Sequence, residues 1–180
     1  MDFTMVQNKN IILTDKPEEQ IPVIAKELVD ALRRKGKRIS LAESCTGGMV
    51  ATSITDVAGS SDVFQCGVVT YSNEFKNRLI DVDKDFLNDK GPVNEETAVM
   101  MANGVKNLAA ADIGIGITGV AGPGPDGDHP EGEIYIASVT DTSTYVIKLL
   151  SGTDNQRNYN RKLATLNALN LAKQVLDNSL

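Results

Sequence analysis

The stretch Ala42-Glu43-Ser44-Cys45-Thr46-Gly47-Gly48 holds the first residues whose types could do chemistry. A serine between a strand and a helix sits beside backbone N–H groups left unpaired at the helix start. Such groups can hold an anion, or the oxyanion that forms when a carbonyl is attacked. Gly47 and Gly48 let a ligand come close. A plainer reading is that Ser44 or Thr46 caps the helix and the glycines pack it on the sheet. A nucleophilic serine also needs a base. The chain has one histidine, His129, in a loop beside Pro130, so attention moves to lysine and tyrosine. In Tyr71-Ser72-Asn73-Glu74-Phe75-Lys76, Tyr71 ends a strand, Asn73 could cap the next helix, and Lys76 falls in its first turn. A helix dipole disfavours a cation there, and burial would act in the same direction and help a lysine serve as base. A solvated helix lysine and a half-buried tyrosine at a strand end would give the same pattern.

A third segment runs from Thr118 through Gly119, Gly122 and Gly124 to Gly127. Glycine-rich loops at strand ends can present N–H groups to phosphate. No Gly-Lys-Ser/Thr follows, and the loop leads to a strand rather than a helix, so neither a Walker A loop nor a dinucleotide fingerprint is present. A plain long turn would also explain it. Three such segments at the ends of successive strands carry more weight together, because ligands gather at strand carboxyl ends in open α/β sheets.

The elements that must position these residues follow from periodicity. Pro17 to Lys35 reads as a helix, with Pro17 and Glu18–Glu19 suited to its first turn and Ile21, Ile24, Ala25, Leu28 and Leu32 on one face. Strands are expected over Arg38–Ala42, Val63–Tyr71 and Asp112–Thr118, and a short one over Asn10–Thr14. Helices are expected over Thr46–Val57, Asn73–Ile80 and, with Asn94 as cap, over a segment placing Ala98, Met101, Ala102, Val105 and Leu108 inward. Lys84–Asn88 suggests one helical turn. In Ile113–Ile117 the isoleucines alternate with Gly114 and Gly116, so something approaches closely on the glycine face. Glu133–Thr140 and Thr144–Leu150 read as an antiparallel pair, and Arg157–Leu176 as a closing helix with Leu163, Leu166, Leu169 and Leu176 inward. Met1 to Lys9 reads as a loose tail. The sum is a three-layer α/β/α sandwich with a mixed, mostly parallel sheet.

Composition narrows the function. The 180 residues suit one domain, and with no tryptophan the core must come from Ile, Leu, Val, Met and Ala. A net charge of -6, without a long basic block, argues against nucleic acid. Cys45 and Cys66 suggest neither a disulfide framework nor a zinc site, and one histidine makes a multi-histidine metal site impossible within one chain. No signal-like or membrane-spanning run is found, so a cytoplasmic protein is expected.

Together these segments resemble the CinA C-terminal domain family, whose members include nicotinamide-nucleotide amidases. The matching stretches are AESCTGG from Ala42, TDVAGSS from Thr55, GVVTYSNEFK from Gly67, VNEETA from Val93 and ADIGIGITGVAGPG from Ala111. The likeness extends from about Pro17 to the C-terminus. It leaves residues 1–16 as an N-terminal extension and 17–180 as the amidase-like domain.

The resemblance implies hydrolysis of the carboxamide of nicotinamide mononucleotide to nicotinic acid mononucleotide and ammonia, with no metal or cofactor. Ser44 matches the nucleophile, and Tyr71 and Lys76 match the residues that take its proton, with the proximal base open between them. Backbone N–H groups from Cys45 to Gly47 would hold the oxyanion. Glu43, Cys45, Thr46, Gly47, Gly48, Asn73, Thr118, Gly119 and Gly122 fall on the substrate side. Arg157 and Arg161 match a pair that opens the last helix, and Arg157 is the choice for gripping a phosphate bidentately. Relatives are commonly homo-oligomers. The chain departs from the pattern at Pro125–Gly132, where acids and His129 replace a Lys-Pro-Val-Gly stretch, and over Ser151–Arg157, which is longer and more polar. These departures keep two alternatives in view: a nucleotide-binding module without turnover, and a DNA-associated accessory, which the acidic charge disfavours.

Overall fold

The computed structural model describes residues 2–7, 10–151 and 156–180. Part of the long approach to the last helix, residues 152–155, lies outside the described residues. The elements in chain order are β1 (Thr4–Met5), α1 (Pro17–Lys35), β2 (Ile39–Glu43), α2 (Met49–Thr55), β3 (Phe64–Val69), α3 (Asn73–Ile80), α4 (Lys84–Lys90), α5 (Glu95–Ala109), β4 (Ile113–Gly119), β5 (Glu133–Val139), β6 (Thr144–Leu150) and α6 (Arg157–Asp177). They form a six-stranded sheet in the order β1-β6-β5-β4-β2-β3. The β1/β6, β2/β3 and β2/β4 pairs are parallel, and the β4/β5 and β5/β6 pairs antiparallel. This is the expected mixed α/β sandwich. One face packs on α1 and α6 through Leu28, Leu32, Ile115, Ile136, Leu163 and Leu169, all fully buried. The other face is covered chiefly by α5.

Helix α1 starts and stops where its sequence signals stand. Pro17 opens it, and Gly36 closes it at φ 62 in the left-handed region that glycine adopts without strain. Asn94 caps α5 by accepting from Thr97 N at 2.7 Å. The close approach expected at Gly114 and Gly116 is made by α5. A Cβ on Gly116 would lie 2.1 Å from Ala98 O, and one on Gly114 2.1 Å from Ala102 O. Gly116→Ala must therefore push helix backbone off the sheet. Overpacking of this kind costs about 1–3 kcal/mol or more. At this chain length that corresponds to a fall in melting temperature on the order of 5–10 °C, measurable by thermal denaturation.

Several expectations are corrected. The N-terminal tail is not loose throughout, because Thr4–Met5 pairs with Tyr145–Val146 and Val6 N donates to Val146 O at 2.8 Å. The run expected as a strand at Asn10–Thr14 instead lies on α6, where Ile12 N donates to Asn167 Oδ1 (2.8 Å) and Asn167 Nδ2 donates to Ile12 O (2.9 Å). Leu108 is exposed, one turn beyond the buried face of α5. Helix α2 begins at Met49 rather than Thr46, because Gly47 and Gly48 at φ 62 and 93 extend the turn. Among the described residues no helix is long and apolar enough to cross a membrane. The short basic run at 33–38 is matched by acids: Arg33 pairs with Asp62 (3.2 Å), Lys35 with Asp177 (3.6 Å) and Lys37 with Asp112 (2.8 Å).

Candidate active site

The parallel strands β2, β3 and β4 end side by side, and the segments following them converge on a cleft of about 280 Å3. Ser44 and Cys45 come from the end of β2, Tyr71 and Lys76 from beyond β3, and Thr118, Gly119 and Gly122 from the end of β4. Arg157 enters from the first turn of α6. Pro92, Val93, Pro125 and Asp126 also line the walls; Pro125 and Asp126 belong to the glycine-rich segment singled out in the sequence, whereas Pro92 and Val93 were not expected there. Pro92 and Val93 precede α5 and reach the cleft because α5 runs back along the sheet. The VNEETA stretch signals Val93 only, since it begins one residue after Pro92.

Ser44 and Lys76, 32 residues apart, are brought together. Lys76 Nζ donates to Ser44 Oγ at 3.4 Å and to the Thr70 carbonyl at 2.8 Å. Lys76 is 1% exposed, with no carboxylate paired to it among the described residues. Burial therefore lowers its pKa from 10.5 to about 8, against a smaller opposing pull from Cys45. A lysine of this kind holds a useful neutral fraction near neutral pH. The adjacent thiol is not a rival nucleophile. Cys45 is buried, and burial pushes its pKa up to about 12, so it stays protonated.

The turn that presents Ser44 is built by two groups that do not line the cleft. Buried Glu43 accepts from Gly48 N (2.9 Å), Val50 N (3.3 Å) and Ala51 N (2.9 Å). This corrects the expectation that Glu43 meets substrate: its carboxylate caps α2. From the other side, Arg161 donates from Nε to Cys45 O (3.0 Å) and from Nη2 to Thr46 O (2.8 Å). Thr46, Gly47 and Gly48 likewise lie outside the lining. Gly47 N donates to Ser44 O at 3.0 Å and Thr46 lies outside the lining, so of the amides expected over Cys45 to Gly47 only that of Cys45 belongs to a residue of the cleft wall.

Asn73 is exposed and is not the cap of α3. Ser72 takes that place, accepting from Phe75 N at 3.3 Å, which leaves Asn73 outside the cleft lining. The Tyr71 hydroxyl accepts from Arg157 Nη2 at 3.1 Å. Arg157 Nη1 also donates to Gly122 O, so this guanidinium bridges two walls of the cleft. Thr118 is held by its own hydroxyl, which donates to Pro92 O at 2.7 Å. His129 stands behind the wall, with Nδ1 2.7 Å from Glu133 Oε2. Among the described residues no group of three or more His, Cys, Asp or Glu side chains is gathered to hold a metal ion.

A base beside a serine, at the carboxyl ends of parallel strands, can perform acyl transfer. Comparison with known proteins places the chain in a wider group. The CinA C-terminal domain family matches residues 22–176. A CinA-like protein from Kosmotoga olearia is 45% identical over 150 residues, covering 83% of this chain and 36% of that protein. A CinA-like protein from Geobacter sulfurreducens is 39% identical and is covered over 39% of its length. The chain thus spans little more than a third of these curated relatives. Among solved structures, competence/damage inducible protein CihA from Agrobacterium tumefaciens superposes with a TM-score of 0.81 at 32% identity, covering 88% of this chain and 96% of that one. A competence-damaged protein (CinA) superfamily structure from Escherichia coli gives a TM-score of 0.85 at 28% identity, covering 93% and 96%.

Proposed function

The chain belongs to the CinA C-terminal domain family, and on that premise we propose that it is a nicotinamide-nucleotide amidase acting through a Ser44–Lys76 pair. The observation that carries the reading is the buried Lys76 amine, 3.4 Å from Ser44 Oγ, with its pKa lowered by burial to about 8. Neutral Lys76 takes the Ser44 proton as Oγ attacks the carboxamide carbon. The resulting oxyanion is met by the Cys45 amide. Lys76 returns its proton to the departing nitrogen, and the carbon–nitrogen bond breaks to give ammonia and an ester on Ser44. Water, deprotonated by Lys76, then cleaves that ester to the acid.

Arg157 serves the nucleotide phosphate, and Tyr71 holds its guanidinium in place. Arg157→Ala is expected to raise KM for nicotinamide mononucleotide about 10- to 100-fold, since a hydrogen bond to a charged group contributes roughly 1.5–3 kcal/mol. It should hardly change turnover of nicotinamide riboside, which lacks the phosphate. Steady-state kinetics on both substrates check this.

A binding module without turnover draws support from the wall loop. There Glu131 accepts from Gly124 N (2.7 Å) and Gln156 N (2.9 Å), placing a carboxylate among amides near Arg157. Release of ammonia and nicotinic acid mononucleotide from nicotinamide mononucleotide decides between the two. A rise in melting temperature with the nucleotide and no product would favour the module.

A further inference from the structure

We infer that Arg161 is a positioning residue that polarises the amide beside Ser44 through the peptide groups of the turn, an inference that rests on the reading of Ser44 as nucleophile. Arg157 and Arg161 lie one helical turn apart on α6 but serve different walls. Arg157 reaches Gly122 and Tyr71, whereas Arg161 reaches the carbonyls of Cys45 and Thr46 at 3.0 and 2.8 Å. Among the described residues Arg161 forms no ion pair, so its charge acts on those two carbonyls.

The bonds link into a chain. Thr46 C=O belongs to the same peptide as Gly47 N–H, and Gly47 N–H donates to Ser44 O at 3.0 Å. Ser44 C=O in turn belongs to the same peptide as Cys45 N–H. A trans peptide is planar, with its N–H and C=O pointing in opposite directions. Each group in the series is therefore polarised by the one before it, from the guanidinium at one end to the Cys45 N–H at the other. The second carbonyl, that of Cys45, is gripped by Arg161 directly, so the residue carrying the candidate oxyanion donor is held at its carbonyl and polarised at its N–H by the same guanidinium. The fit is close: a Cβ on Gly47 would lie 3.1 Å from Arg161 Nη2.

Because this polarisation acts on charge that develops during attack, Arg161 should control kcat and leave KM nearly alone. Arg161→Ala is expected to lower kcat for nicotinamide mononucleotide on the order of 10- to 100-fold, less than outright removal of an oxyanion donor. KM should stay within about threefold. Methylguanidinium at millimolar concentration should restore part of the kcat of Arg161→Ala and none of that of Ser44→Ala. Arg161→Lys, which keeps the charge but not the two-pronged contact, should fall between, and it carries the test if the alanine variant does not fold. Three results overturn the inference while leaving the amidase intact: unchanged kcat, a loss confined to KM, or a kcat loss that neither methylguanidinium nor lysine relieves. Wild-type protein without turnover overturns both.

Discussion

Replacing Lys76 by Met is expected to cut turnover by about 10²-fold or more and, at pH 7, to raise the melting temperature. The two effects share one cause. Folding places an amine in a site that is 1% exposed and lowers its pKa from 10.5 to about 8. At pH 7 the folded chain therefore holds a buried cation, at a cost on the order of 3 kcal/mol. Met is of similar length and carries no charge, so the substitution removes that cost and should add on the order of 5–10 °C.

The sign of the pH dependence follows. Between about pH 8 and 10.5 the unfolded chain holds the Lys76 proton and the folded chain does not. In that window the stability contributed by this group rises with pH, and the gap between wild type and Lys76→Met closes. Activity should follow the neutral amine: kcat/KM of the wild type climbs about tenfold per pH unit below 8 and levels off above it. Loss of the base should lower turnover by roughly 10²- to 10⁴-fold. Melting curves and rate profiles across pH 6–10.5 check both halves. A variant that is inactive and also less stable at pH 7 would mean that Lys76 is a structural strut.

Ser44→Ala is expected to lower turnover by about 10⁴-fold or more while leaving the fold and nucleotide binding intact. The Ser44 hydroxyl is reached only by Lys76 among the hydrogen bonds of the described residues, and the turn around it is held by Glu43 and Arg161 rather than by the hydroxyl. Its removal therefore takes away the attacking atom without loosening its support. Circular dichroism and the melting shift with nicotinamide mononucleotide should match wild type. Cys45 offers no substitute nucleophile, because its thiol is buried and protonated.

Local signals were the readable part of this chain. Pro17, Gly36 and Asn94 mark helix ends by their own chemistry, and the alternating Gly114 and Gly116 announce a close approach. The convergence of three strand ends was legible as well, since parallel strands must end on one side of the sheet. What stayed hidden depends on distant partners. Ser72 and Asn73 are both good caps, and only the backbone at Ser72, φ -102 and ψ 158, decides between them. Glu43 sits in the motif beside the nucleophile, yet its side chain turns under α2, which depends on the left-handed bends at Gly47 and Gly48. The strand at Thr4–Met5 pairs with residues about 140 positions away, which local periodicity cannot reveal. The same holds for Arg161, whose carbonyl partners lie 115 and 116 residues earlier in the chain.

The most direct measurement is ammonia release from nicotinamide mononucleotide by wild type, Ser44→Ala and Lys76→Met, prepared and assayed in parallel at pH 8. Wild type is expected to turn over steadily, with ammonia and nicotinic acid mononucleotide formed one to one, while each folded variant releases at least about 10²-fold less. Turnover that survives in Ser44→Ala, or a folded wild type that binds the nucleotide and releases nothing, would contradict this expectation.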